Sequence, residues 1–351
     1  MKKIKIGYWP LSQDFSSPGD RRRVMFWAQA RGHEIVTDLN QKVDVIIASE
    51  KSDFNSASFA KTNTPVIFDL IDAYLSPTNL REDISRGIAH RLTGQISGRV
   101  KSFSANVRDF CLSADAVICS SVEQEKIISQ YNSNTHIILD SHEELPFNVA
   151  KYSSFTARHD SRILWEGQPA TIGGVRQIST ALYNISKTYS LQFDFVTDEK
   201  YFQFLGKYIQ RNTLTLLKKD LNEIFEKVNI SSWTLNNLVD SAQRSSIAMI
   251  PIDLSVPIQN LKPENRLLIM WRLGLPCLTS ASPAYLRVAN QAGTLGVSED
   301  LDSWESNFDL FLNDPRIAFT EIERGQTYLS ENHTKSILLK KWDQAIESVL
   351  K

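Results

Sequence analysis

The side chains of this sequence best suited to chemistry stand together in the stretch Lys262-Pro263-Glu264-Asn265-Arg266. Two cations, an amide and an acid precede an apolar run, residues 267–271, that reads as the start of a helix. Backbone N–H groups and the dipole at a helix start favour phosphate, and Lys262 and Arg266 add positive charge there. Arg266 suits a diphosphate because its planar fork holds two oxygens at once. Glu264 reads as a helix-start acid acting through the dipole, or else as a ligand contact. Pro263 suits an early helical position, where its missing N–H is an orphan anyway.

Other candidates lie where apolar runs end. Asp72 follows the run 65–70 and either orients a hydroxyl or shapes a turn. Gly19, in the loop Ser16-Ser17-Pro18-Gly19-Asp20, either lets backbone approach a phosphate or makes a plain turn. Gly167, Asp198 and Asp253 close three further runs. Asp300-Leu301-Asp302 has the spacing of a metal pair, but it stands before a helical segment and reads as an N-cap. The 6 histidines lack metal-ligand spacing, so no metal is expected. Trp233 either borders a base pocket or belongs to the core.

The elements that position these residues alternate. In the first half, short apolar runs at 4–8, 33–36, 43–48, 65–70, 114–121 and 136–140 are separated by helical segments, with Asp20 capping the first helix. Apolar residues recur every three or four positions over 81–110, which predicts one long helix carrying a net charge of +3. Its stripe is expected to pack on the first domain, the alternative being contact with an anionic membrane or a lipid-linked acceptor. Residues 141–160 read as a linker, and the alternation then restarts. Strands are expected at 162–166, 191–196, 246–251, 276–279 and 294–297. Helices are expected at 172–188, near 199–210, at 235–244, after 283, at 302–313 and from about 318 to 350.

This pattern predicts an α/β protein with two doubly wound, Rossmann-like domains. Ligands bind such sheets at the carboxyl ends of the strands, and if the two edges face each other the active site is the cleft between them. Asp72 and the 11–20 loop then form one wall; Gly167, Asp198, residues 251–253 and the 262–266 loop form the other. A chain of 351 residues fits two domains, and its net charge of −1 argues against a nucleic-acid partner. Three cysteines without a paired motif read as reduced core residues. The N-terminal apolar run is too short for a signal peptide, and no stretch of 18 apolar residues offers a membrane span.

In order and spacing the sequence resembles the GT-B glycosyltransferases, and among them the retaining, cytosolic enzymes that build bacterial surface polysaccharides. The resemblance rests on Arg22-Arg23, Arg31-Gly32-His33-Glu34, Phe68-Asp69-Leu70-Ile71-Asp72 and Ala114-Asp115-Ala116-Val117-Ile118-Cys119-Ser120-Ser121 in the first half. In the second half it rests on Ile163-Leu164-Trp165-Glu166-Gly167, Ile250-Pro251-Ile252-Asp253, the 262–266 stretch and Gly274-Leu275-Pro276. It implies an acceptor domain over 1–155, a nucleotide-sugar donor domain over 156–330, and a terminal helix over 331–351 that returns toward the first domain.

The resemblance further implies catalytic roles for Arg266, Lys262 and Asp72, and donor contacts at Gly19, Gly167, Gln168, Asp198, Asp253, Glu264 and Asn265. No cofactor or metal is expected. The partners would be a nucleotide-sugar donor and a glycan or lipid-linked acceptor, at a cytoplasmic site with peripheral membrane contact. The pattern departs from the family at Ile269 and Leu261, where a pair of glutamates is usual, and at Gly167-Gln168 with Gly173-Gly174, where a Gly-Arg and a Lys are usual. The reading is a hexosyltransferase-type glycosyltransferase. Its alternatives are a non-catalytic nucleotide-sugar or glycan binder that regulates a partner, and a nucleotide-sugar epimerase.

Overall fold

The structure, a computed structural model, describes residues 2–53, 63–76, 79–92, 94, 100–149, 161–203 and 209–350. The chain forms two compact units, one of Met1–Glu143 with Asn260–Pro263 and His333–Lys351, the other of Glu144–Gln259 with Glu264–Asn332. Each unit is built on a six-stranded parallel sheet, so the protein is α/β and doubly wound.

The first sheet contains β1 (Lys5–Trp9), β2 (Glu34–Val36), β3 (Val45–Ser49), β4 (Val66–Asp69), β5 (Ala116–Cys119) and β6 (Thr135–Ile137), in the order β2-β1-β3-β4-β5-β6. Strands covered on both faces must be apolar throughout, which is why β3 is buried at every position. The pleat sends Ile46 and Ala48 to one side, against Phe103, Val107 and Phe110. Val45 and Ile47 go to the other, against Val24, Trp27 and Trp342. Trp342 belongs to the terminal helix Lys335–Glu347 and stacks on Trp27 with centroids 5.7 Å apart. In the same contact, Trp27 Nε1 donates to Asp343 Oδ1 at 2.9 Å.

Beside the carboxyl end of β4 sits a buried ion cluster. Arg23 is fully buried and donates to Asp69 at 2.5 Å, to the Ile138 carbonyl at 2.6 Å and to Asp140 at 3.2 Å. Burial opposes the Arg23 charge, but the two carboxylates outweigh it and hold the guanidinium protonated.

The second unit begins with β7 (Ser161–Glu166) and β8 (Leu191–Val196), followed by an antiparallel pair, β9 (Lys200–Gln203) and β10 (Ile209–Asn212). Then come β11 (Val228–Ser231), β12 (Ile247–Ile250), β13 (Cys277–Ser280) and β14 (Val297–Ser298). The sheet order is β11-β8-β7-β12-β13-β14. Ile163, Trp165, Phe193, Phe195, Ile247 and Met249 line one core, closed by the helices Ser179–Thr188 and Leu301–Asn313. Helix Asn265–Arg272 packs against β12, β13 and helix Pro315–Asn332.

Several expected elements are corrected. The helix expected over 81–110 is two helices, Leu80–Leu92 and Phe103–Ser113, the second capped by Ser102; residues 93 and 95–99 lie outside the described residues. The segment near 199–210 is the β9–β10 pair, because Lys200–Gln203 and Ile209–Asn212 find cross-strand partners that a lone helix there would lack; residues 204–208 lie outside the description. The span 172–188 breaks at Ile178 into Gly173–Gln177 and Ser179–Thr188. The terminal helix breaks where Thr334 caps Lys335–Glu347. Of the expected linker, residues 150–160 lie outside the description.

Asp20 does not cap its helix. Its carboxylate, buried, accepts from Tyr8 Oη at 2.5 Å, Leu11 N at 2.8 Å and Ser12 N at 2.9 Å, which ties down the loop after β1.

Candidate functional site

In a doubly wound sheet the ligand edge lies where the strand order reverses. In the second unit that point is between β7 and β12. The end of β7 supplies Glu166 and Gly167, and the end of β12 leads into Pro251, Ile252 and Asp253. The close approach of helix Gly173–Gln177 to this edge requires a glycine, since a Cβ at Gly174 would stand 2.1 Å from the Pro251 carbonyl oxygen.

Arg266 is the side chain most firmly held at this edge. Its Nη2 donates to the Glu166 carbonyl oxygen, its Nε lies 3.7 Å from Glu166 Oε1, and its Cζ sits 5.3 Å from the centre of the Trp165 ring. Glu166 is buried and accepts from Trp233 Nε1 at 3.2 Å, so the carboxylate is itself oriented. Gly167 completes the seat: with φ at 154°, its ideal Cβ would lie 3.1 Å from Arg266 Nη2 and 3.0 Å from Thr171 Oγ1. Arg266 thus has an aromatic floor, a carbonyl anchor and a glycine that makes room.

Its neighbours divide differently from the expectation. Helix Asn265–Arg272 starts after Pro263, with Glu264 at the cap position and no side-chain capping bond. The Glu264 carboxylate instead meets Arg287, with both nitrogen–oxygen contacts at 3.3 Å. The Asn265 Oδ1 is buried without a hydrogen-bond partner among the described residues. Ile269 is 3% exposed, so the position where the family carries an acid is part of the apolar core here. Lys262 belongs to the segment of the first unit in which the Leu261 carbonyl accepts Ser121 Oγ at 2.7 Å.

The other expected donor residues are not all drawn together. Gln168 is exposed and offers its carbonyl to Thr171. Asp198 is exposed, and its carbonyl accepts Thr213 Oγ1 at 2.6 Å. Asp253 accepts Ser255 Oγ at 2.5 Å and N at 3.1 Å, and these bonds hold its carboxyl below the usual range. Asp300 caps helix Leu301–Asn313 through Ser303 N at 2.8 Å, as its spacing suggested.

In the first unit the strand order reverses between β1 and β3. The loop after β1 holds Gly19, whose ideal Cβ would fall 2.3 Å from Leu11 Cδ1 and 2.7 Å from Ile71 Cδ1; its lack of a side chain serves this packing. The residue after β3 is Glu50, which the sequence did not nominate. Asp72 N donates to Glu50 Oε2 at 3.2 Å, and Tyr74 Oη donates to Asp72 Oδ2 at 3.3 Å. Burial, and then the charge of Asp72, push the Glu50 carboxyl up to about 8. A proton-holding acid therefore stands beside the candidate acceptor residue. The only available signal was its place directly after a wholly buried strand.

No family model and no curated protein sequence matches the chain. Its fold is nevertheless shared with solved structures. WaaG, a glycosyltransferase involved in lipopolysaccharide biosynthesis, has a TM-score of 0.61 at 12% identity, over 99% of each chain. Sucrose-phosphate synthase from Thermosynechococcus elongatus has a TM-score of 0.59 at 13% identity, over 92% of this chain and 75% of that one. A point mutant of S. aureus TarM, in complex with Fondaparinux, alpha-GlcNAc-glycerol and UDP, has a TM-score of 0.56 at 9% identity, over 86% of this chain and 55% of that one. The chain has the GT-B fold of glycosyltransferases.

Proposed function

We propose that the protein is a glycosyltransferase of hexosyl type that moves a sugar from a nucleoside-diphosphate donor to a glycan or lipid-linked acceptor. The observation that carries this reading is the seating of Arg266 at the start of helix Asn265–Arg272, beside the reversal point of the second sheet. Departure of a nucleoside diphosphate from a sugar builds negative charge on the phosphate while the sugar becomes oxocarbenium-like. A guanidinium fixed before the reaction, together with helix-start N–H groups, stabilises that charge without having to reorganise.

In this reading Arg266 and Lys262 stabilise the leaving diphosphate. Asn265, Gly167, Gln168, Asp198, Asp253, Glu264 and Gly19 are the further residues proposed for donor contact. Asp72, with Glu50, orients the acceptor hydroxyl. The donor belongs to residues 156–330 and the acceptor to residues 1–155, with retention of configuration, no metal, and a cytoplasmic role in surface-polysaccharide assembly. UDP in the TarM complex supports testing uridine donors first.

The experiment has two arms. Melting is followed with UDP, GDP, dTDP and CDP, since a ligand bound to the folded state raises apparent stability by mass action. Transfer is then measured for wild type and Arg266→Ala. The variant should keep its fold and lose roughly 100-fold to 1,000-fold in kcat. Wild-type turnover in Arg266→Ala would overturn the assignment of this residue.

A non-catalytic binder is the second reading, favoured by the burial of Ile269 where an acid is usual. It predicts stabilisation by a nucleotide-sugar with no release of nucleotide.

A further inference from the structure

Beside β14 the second unit has a cavity of about 190 Å³, lined by Leu295, Arg316, Ile317, Thr320, Glu321 and Arg324. Leu295 stands just ahead of β14, at the amino end of a strand in a parallel sheet. The candidate donor edge lies at the carboxyl ends of the strands, so this cavity belongs to the opposite edge of the same sheet.

Helix Pro315–Asn332 supplies most of the lining. Arg316, Thr320 and Arg324 advance about 40° and about 6 Å at each step, which sets a hydroxyl between two guanidinium groups on one ridge. The Arg316 side chain makes no hydrogen bond or ion pair among the described residues, its backbone N alone donating, to Asp314. Arg324 Nη1 donates to the Gly293 carbonyl at 2.6 Å, at the end of helix Pro283–Ala292. That bond positions the guanidinium and leaves its other N–H donors uncommitted among the described residues.

The acid in the lining does not neutralise these cations. Glu321 is buried, and its two oxygens accept Leu295 N at 2.7 Å and Gly296 N at 3.2 Å. Burial pushes its carboxyl up to about 7 against the effect of those bonds, so its negative charge is partly removed at neutral pH. Glu323, on the same helix, lies outside the lining. Leu295, 53% exposed, and Ile317 add an apolar wall. The volume is below the roughly 300–1,000 Å³ of sites for drug-sized ligands, so the ligand is small.

We infer that this cavity binds a small soluble phosphate monoester, its phosphoryl oxygens on Arg316, Thr320 and Arg324 and its carbon body against Leu295 and Ile317. Guanidinium forks match phosphoryl oxygens in pairs, and the threonine hydroxyl donates a further bond. Two cations also match the charge of about −1.5 to −2 that a phosphate monoester carries at pH 7. A carboxylate brings one charge and two oxygens, which leaves one arginine unmatched. The inference is independent of sugar transfer, and its test measures no activity.

The full chain is titrated by calorimetry with propyl phosphate, inorganic phosphate, butyrate and propanol. Wild type should bind both phosphates, propyl phosphate the more tightly, and bind butyrate and propanol far less. Arg316→Gln, which removes no contact within the fold, should weaken propyl phosphate roughly 10-fold to 100-fold. Arg324→Gln should do the same. Arg324→Lys keeps a donor for the Gly293 carbonyl but loses the fork; it should lose about tenfold, and it keeps the test valid if the glutamine variant is unstable. Phosphate also suits Arg266, so the titrations are repeated in Arg266→Ala, where the binding and its dependence on Arg316 should persist.

Phosphates bound no more tightly than propanol, wild-type affinity in Arg316→Gln, or loss of binding in Arg266→Ala overturns the inference. So does butyrate binding as tightly as propyl phosphate, since the cavity then does not select a phosphoryl group.

Discussion

Replacing Gly167 with alanine tests whether the seat of Arg266 is built as described. The backbone there has φ at 154°, and the added Cβ would lie 3.1 Å from Arg266 Nη2 and 3.2 Å from its Cζ. Two costs are expected. Holding a non-glycine residue in that conformation costs about 1–3 kcal/mol. Displacing the guanidinium weakens its charged hydrogen bond to the Glu166 carbonyl, about 1.5–3 kcal/mol, and its contact with Trp165, about 0.5–2 kcal/mol. If the arginine gives way by a few tenths of an ångström, part of the second cost remains, so Gly167→Ala should lose about 2–4 kcal/mol.

The decisive measurement is a double-mutant cycle with Arg266→Ala, read by urea denaturation. In the Arg266→Ala background only the backbone strain and the 3.0 Å approach to Thr171 Oγ1 remain. The cost of the alanine should therefore fall by about 1–2 kcal/mol, a coupling expected only of groups in contact. Nucleoside-diphosphate binding, followed by calorimetry, should weaken in Gly167→Ala alone, with no further loss when Arg266 is already absent. An equal stability cost in both backgrounds would refute the proposed link between this glycine and the arginine.

Two further outcomes follow from the first unit. Arg23→Met leaves Asp69 buried without its cation and should cost about 3–5 kcal/mol at pH 7 in urea. Burial already raises the Asp69 carboxyl above its usual value, so in the variant its stability contribution is present at low pH and lost as pH rises. The deficit should thus be smaller near pH 4.5, and a pH-independent deficit contradicts the account.

Glu50 gives the second. An acid raised from 4.5 to about 8 contributes stability that is complete below 4.5 and disappears as pH rises through about 8. Glu50→Gln keeps an acceptor for the Asp72 N–H but cannot ionise. Wild type should therefore lose roughly 4 kcal/mol more than the variant between pH 5 and pH 9; parallel denaturation curves would remove Glu50 as the cause.

Much of the fold was legible because parallel strands, buried on both faces, leave continuous apolar runs such as Ala116–Cys119 and Ile247–Ile250. Breaks between helices were less legible. Ser102 and Thr334 make N-cap bonds inside segments whose apolar period continues past them. The apolar period of helix Leu80–Leu92 was read correctly, but not the side it faces, because periodicity does not distinguish a stripe that packs from one left outside. At the candidate site, a charged loop before a helix marked Arg266. What holds it, Trp165, the Glu166 carbonyl and Gly167, lies about 100 residues earlier and becomes visible only when β7 is placed in the sheet. Asp20 was misjudged as a helix cap because its partners, Tyr8 and the loop amides, are not on its own helix.

The stacking of Trp342 on Trp27 also bears on how the protein is made. One face of the first sheet is finished by a helix at the far end of the chain, after roughly 190 intervening residues (144–332). At about 5–20 residues per second of synthesis, the ribosome needs about 10–40 s to reach that helix. During this interval Ile6, Val45, Ile47 and Trp27 lack their final cover, so the nascent first unit should be a client for holding chaperones until that helix has been made.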